Sequence, residues 1–98
     1  MKYRNRYCKK AKNTYPLLVK CTNCKNKIFL YQKGGKGNLI KMKVDKIISS
    51  QSSIAELPNR INCPFCNAPI ANLAQYKGED YYWIIRGSVM VRKIDKKI

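Results

Sequence analysis

The sequence predicts a small β-rich domain: two C-x-x-C knuckles over a short antiparallel sheet, a basic arm ahead of it, and a C-terminal β hairpin. Three observations predict this. Four cysteines fall in two pairs, Cys21 with Cys24 and Cys63 with Cys66, each spaced by two residues. Ile40, Met42 and Val44 alternate with Lys41 and Lys43, the period-2 pattern of a half-buried strand. Short apolar runs such as residues 28–31 (IFLY) and 81–86 (YYWIIR) read as further strands, with glycines marking the reversals between them. Ninety-eight residues make one domain with a small core. Folding at this size buries roughly 60–70% of the unfolded chain's surface, so a metal staple would add stability that packing alone supplies thinly.

The elements are expected in this order. Residues 1–16 (MKYRNRYCKKAKNTYP) hold six Lys or Arg, three Tyr and no acid, with poor apolar periodicity. They read as a mobile arm, because they lack the apolar surface that offsets ordering entropy. Pro16 marks its boundary with a domain of residues 17–94. Leu17, Leu18 and Val19 form a short strand entering the first cysteine pair. Residues 28–31 form the next, reversed by Gly34, Gly35 and Gly37, whose freedom at positive φ suits a tight turn. The chain then returns as a hairpin partner through residues 38–44, one face packed and the other carrying lysines. Asp45 is placed to cap a short helix, while Ser49, Ser50, Ser52 and Ser53 suggest a solvated loop instead. Ile54, Ala55 and Leu57 make one turn that packs back before Pro58. After the second pair, residues 81–86 and 89–94 form two strands turning at Gly87 and Ser88, and residues 95–98 are a frayed tail.

The cysteines carry the chemistry. Two cysteines spaced by two residues can bind one ion through a tight turn whose backbone N–H groups point at the sulfurs. Cys21, Cys24, Cys63 and Cys66 together supply four thiolates, which close a tetrahedron around Zn²⁺ and leave no position for a substrate. Four thiolates suit iron as well. The 38 residues between the pairs, 25 to 62, exceed the ~15–20 of the compact pattern. A hairpin with a helix or loop fits that excess. Asn67 and Lys25-Asn26 follow the pairs where glycine is common, and Asn tolerates the left-handed conformation. An odd cysteine count and a basic N-terminus without an apolar segment argue against a secreted disulfide scaffold. No apolar run approaches the ~20 residues of a membrane helix. The expectation is a cytoplasmic, reducing compartment without membrane contact. Cys8 stands apart and reads as an ordinary free cysteine, the alternative being a reactive thiol whose thiolate Lys9 and Lys10 favour.

The two knuckles, CTNC and CPFC with a β hairpin between them, resemble those of the zinc-ribbon proteins over about residues 17–71. That class includes transcription factors, RNA polymerase subunits and ribosomal proteins. The run YQKGGKGNLIKMKVDKI is also similar to small prokaryotic zinc-ribbon proteins. The resemblance implies a rubredoxin-like arrangement of knuckles over a small sheet. It does not fix a function, because the class binds DNA, RNA and proteins alike.

Charge points to a partner. The formal net charge is +16, and residues 1–46 hold fourteen basic groups against the single acid Asp45. Such a field attracts polyanions. In the arm Arg4 and Arg6 interleave with Tyr3 and Tyr7, which suits phosphate pairing and base stacking on RNA. The candidate contacts are Lys2, Arg4, Arg6, Lys9, Lys10 and Lys12 in the arm, and Lys25, Lys27, Lys33, Lys36, Lys41 and Lys43 along the hairpin. Tyr81, Tyr82 and Trp83 beside Arg86 are either a stacking platform or core. The chain contains no histidine, and Glu79 and Asp80 are its only adjacent carboxylates, so no catalytic set is evident. The expected function is non-catalytic binding of nucleic acid, RNA first, with a larger nucleoprotein complex as a further candidate partner. The alternatives are an adapter docking on an acidic protein surface, with a hydrophobic patch around Trp83, and a DNA-binding transcription factor.

Overall fold

A computed structural model describes residues 1–94; the expected tail lies outside the described residues. The described residues form nine strands: β1 (Tyr3–Arg4), β2 (Thr14–Cys21), β3 (Lys27–Gly34), β4 (Lys41–Lys43), β5 (Ile47–Ser50), β6 (Arg60–Asn62), β7 (Pro69–Tyr76), β8 (Glu79–Ile84) and β9 (Val89–Lys93). They make two antiparallel sheets, one ordered β1-β5-β3-β2-β9 and the other β4-β8-β7-β6. Residues directly opposite across a pair share a face. Leu17 lies opposite Tyr31, and Val19 opposite Phe29. Met42 lies opposite Tyr82, and Ile61 opposite Ala71. All eight are buried, and apart from Leu17 they belong to one cluster shared by both sheets.

Both hairpins expected from the sequence are absent. The chain does reverse at Gly35 (φ 71°) and Gly37 (φ 110°), but β4 then pairs with β8 in the second sheet rather than with β3. In the same way β9 leaves β8 at Gly87 (φ 79°) and pairs with β2. Alternation fixes which face a strand buries and says nothing about its neighbour. The hairpin that does form in the second sheet joins β7 and β8 through Lys77 (φ 53°) and Gly78 (φ 78°), the two positive φ angles of a type I′ turn. Glu79 and Asp80 open β8 directly after this turn.

Two further expectations are corrected. Asp45 caps no helix: it sits inside a 3-10 turn, Val44–Lys46, that has no side-chain cap. The serine-rich stretch includes β5, with Ser50 buried opposite Phe29 and Tyr3. The N-terminal segment, expected as a mobile arm, is docked. Tyr3 and Arg4 pair with β5. Buried Asn5 donates through Nδ2 to the carbonyls of Val44 (2.8 Å) and Ile47 (2.7 Å). The Gln32 side chain fixes the next residues, donating to Lys9 O at 2.8 Å and accepting from Ala11 N–H at 3.0 Å. Amide hydrogen bonds therefore do much of the anchoring, with Tyr7 packed against the core, and Pro16 falls inside β2 rather than at a boundary. The turn at residues 54–57 does form, with Leu57 N–H donating to Ile54 O and Ile54 buried. Among the described residues no helix is long and apolar enough to cross a membrane.

Candidate metal centre

Each cysteine pair closes a turn of the same design. In the first, Lys25 N–H donates to Cys21 O (2.8 Å) and Cys21 N–H to Asn26 O (2.9 Å). In the second, Asn67 N–H donates to Cys63 O (2.8 Å) and Cys63 N–H to Ala68 O (2.7 Å). The residue after each second cysteine is left-handed, Lys25 at φ 66° and Asn67 at φ 65°. The first turn links β2 to β3 and the second links β6 to β7, so each sheet contributes one pair. Ser88 ties the two ends together. Its hydroxyl donates to Ile70 O at 2.9 Å, and its carbonyl accepts from Thr22 N–H at 3.0 Å.

This arrangement brings all four sulfurs within 4.8 Å of one another. Cys21 Sγ lies 3.6 Å from Cys66 Sγ, and Cys24 Sγ lies 3.5 Å from Cys63 Sγ. A tetrahedron with metal–sulfur bonds of ~2.3 Å has edges of about 3.8 Å, so the spacing fits one ion. All four thiols are free rather than paired as disulfides. Cys21 and Cys63 are buried, while Cys24 and Cys66 are half-buried.

Their protonation follows from these surroundings. Burial pushes the Cys63 thiol up to about 12, against hydrogen bonds from the backbone N–H groups of Cys66 and Phe65. The Asn23 side chain, then the backbone N–H of Ala68, draw Cys66 down to about 6. The backbone N–H of Asn26 lowers Cys24, and the Asn26 side chain adds to this with Nδ2 at 3.3 Å from Sγ. Hydrogen bonds thus draw Cys24 and Cys66 toward thiolate while burial holds Cys63 toward thiol, and four thiolates this close would repel one another without a cation. A divalent ion removes that conflict, and the N–H donors already point at the sulfurs. The donor set suits Zn²⁺ and iron alike. Asn23 and Asn26 were not apparent as site residues from the sequence. Their signal is an amide inside and just after the first knuckle, and Asn23 acts across it on Cys66.

Cys8 is outside this centre. Burial raises its thiol, only partly opposed by Arg4, in line with an ordinary free cysteine rather than a reactive thiol.

The twelve basic residues singled out from the sequence are not gathered in one place. Lys2, Arg4, Arg6, Lys9, Lys10 and Lys12 are exposed along β1 and the segment after it. Lys25 and Lys27 flank the first knuckle, and Lys36 lies in the glycine loop. Lys33, Lys41 and Lys43 are half-buried and line one cleft together with Lys46, which the sequence did not single out. Tyr82 is core, its hydroxyl donating to Pro58 O at 2.8 Å, while Tyr81 and Trp83 take the opposite face of β8. The chain matches no protein-family model, no curated protein and no solved structure.

Proposed function

We propose that this chain is a non-catalytic zinc protein of ribbon type that binds nucleic acid, RNA first, through its basic surface. Zn²⁺ held by Cys21, Cys24, Cys63 and Cys66 is structural in this reading, because four thiolates complete its shell. The observation that carries the binding role is an unneutralised field. With a formal net charge of +16, the ion pairs among the described residues are those of Lys43, with Glu79 at 2.8 Å and Asp45 at 3.6 Å. The other described cations, most of them exposed, form no ion pair with a described carboxylate, and a phosphate backbone is the polyanion that complements them. The test is binding of the zinc-loaded protein to single-stranded RNA, duplex RNA and duplex DNA across a salt series. Affinity should fall steeply with salt, and fall again when Lys2, Arg4, Arg6, Lys9, Lys10 and Lys12 are neutralised. Preference for one duplex DNA sequence would point to the transcription-factor role instead. Negligible binding at low salt would contradict the reading.

One observation favours a second reading, an adapter for an acidic protein. A groove of about 510 Å³ between the segment ahead of β4, the end of β8 and β9 is lined by Leu39, Ile40, Ile84, Val89 and Val91, with Arg86 beside them. Ile40 is 63% exposed and Val91 45%. Apolar surface of this kind marks interaction sites. Trp83, where the sequence had suggested an apolar patch, is not among its lining residues.

A further inference from the structure

The outward face of the four-stranded sheet carries groups that neither the core nor the metal centre uses. Register places Lys41, Trp83, Asn72 and Arg60 in one row across β4, β8, β7 and β6. Lys43, Tyr81 and Ala74 form the next row. Tyr76, at the hairpin end of β7, sets its ring edge-on to Tyr81 (5.7 Å, 87°) and to Trp83 (6.0 Å, 79°). Three aromatic rings thus cluster on the face opposite buried Tyr82. The Lys41 ammonium covers them, 5.0 Å from the Tyr76 ring, 5.9 Å from Tyr81 and 5.2 Å from Trp83. Beneath this cover the Trp83 indole N–H is buried and donates to no group among the described residues. A buried donor without an acceptor is costly, and an acceptor is what this cluster lacks.

Next to the rings lies a cleft of about 250 Å³ lined by Lys33, Lys41, Lys43, Lys46, Tyr31 and Tyr81. Lys43 is held by Glu79 and Asp45, and neither carboxylate reaches the ammonium groups of Lys33, Lys41 or Lys46. Lys41 and Tyr81 belong to both features, so the charged cleft and the aromatic cluster are continuous.

We infer that this face binds single-stranded nucleic acid, with phosphate in the lysine cleft and bases stacked on Tyr76 and Trp83. The inference rests on the nucleic-acid reading above and gives it a location. Lys41 is the placeholder: it occupies the aromatic cluster until a base displaces it, and its ammonium then turns to phosphate. Cation and base compete for the same ring faces, so the exchange trades a cation–π contact for a stack and an ion pair. Single strands are preferred because a duplex has already stacked the base faces these rings would use. Lysines grip phosphate as point charges and read no bases, so sequence preference should be slight.

Trp83 is the chain's only tryptophan, so its emission reports on this face alone. The experiment titrates zinc-loaded full-length protein with a single-stranded oligouridylate, an RNA duplex and inorganic polyphosphate. It reads Trp83 fluorescence together with displacement of a labelled single strand. Oligouridylate should quench Trp83, whereas polyphosphate should displace the label without quenching. Tyr76→Ala, at an exposed ring, should weaken single-strand binding about tenfold and leave polyphosphate unchanged. Lys33→Ala and Lys46→Ala should each lower the salt slope by about 0.7. Tight, salt-dependent binding with unmoved Trp83 emission and an unaffected Tyr76→Ala variant would place the nucleic acid elsewhere. That outcome overturns this inference and leaves the broader reading standing. No binding by any of the three ligands at low salt overturns both.

Discussion

The two knuckles share a backbone and differ in what surrounds them. Each buries its first cysteine, half-buries its second and turns left-handed at the next residue. The first knuckle is braced. Thr22 is tied to Ser88, Lys25 Nζ donates to Thr22 O at 2.7 Å, and β9 runs alongside β2 up to Cys21. The second is barer, with Phe65 56% exposed at its tip and Asn67 held by a side-chain bond from Asn62 at 3.3 Å. The left-handed residue differs too, Lys25 in one and Asn67 in the other. A shared geometry on two different sheets shows that the placement of the cysteines depends on the turn and not on its neighbours. The centre then acts between sheets, since neither sheet alone supplies four sulfurs.

This comparison can be broken most sharply at the ligands. Cys21→Ser and Cys63→Ser, one in each knuckle, should be equally damaging. Each should forfeit most of the ~10–16 kcal/mol that a structural zinc contributes to folding. Circular dichroism melts of both variants check this. A variant that keeps the wild-type melt would show that its knuckle is not a ligand donor.

The sheets themselves respond to alkali. Burial raises the phenol of Tyr31 in the first sheet, and pushes that of Tyr82 in the second up to about 12. An unfolded tyrosine ionises near 10. The folded state therefore holds these protons longer, and stability present below pH ~10 is lost as pH rises through about 12. Tyr82→Phe should flatten that loss in a melting series from pH 8 to 12. It should also cost roughly 1 kcal/mol at neutral pH, through the lost bond to Pro58 O. An unchanged alkaline limb would assign the effect to Tyr31 or to the thiols.

The smallest effect separates the two left-handed positions. Lys25→Gly should stabilise by up to about 1 kcal/mol, because a side chain with a Cβ is strained there. Asn67→Gly should gain only a few tenths, since Asn tolerates this region. Denaturant midpoints of the metal-loaded variants measure both. Equal gains would mean that the Nζ bond from Lys25 to Thr22 offsets the greater strain of lysine at that position.

The ligands were legible in the sequence because C-x-x-C is a local pattern, and the left-handed Asn67 was legible for the same reason. So were the centre of β2 at residues 17–19 and the half of β3 at residues 28–31, whereas the burial of Tyr82 rather than Trp83 on β8 was not, since alternation allowed either. The strand partners were not. The pattern from Ile40 to Val44 fixed Met42 and Val44 as buried, yet Ile40 is exposed and β4 belongs to the other sheet. A glycine turn can reverse a chain within a sheet or carry it to the facing one, and Gly35, Gly37 and Gly87 do the latter. Strand β7 was hidden by Pro69, Ala71, Asn72 and Ala74, residues of low strand preference. The docking of residues 3–12 was hidden because it depends on the amides of Asn5 and Gln32, which a search for apolar periodicity passes over. The lysine cleft was hidden for a further reason. Lys33, Lys41 and Lys46 come from three separate segments, and only the crossing between sheets brings them together.

The central claim is a four-thiolate zinc centre joining the two sheets, and native mass spectrometry with thiol counting tests it most directly. The account predicts one zinc per chain and four thiols that resist alkylation until a chelator is added, with Cys8 reacting separately. A folded chain with no metal and all five thiols reactive, or with disulfides in place of thiols, would contradict it.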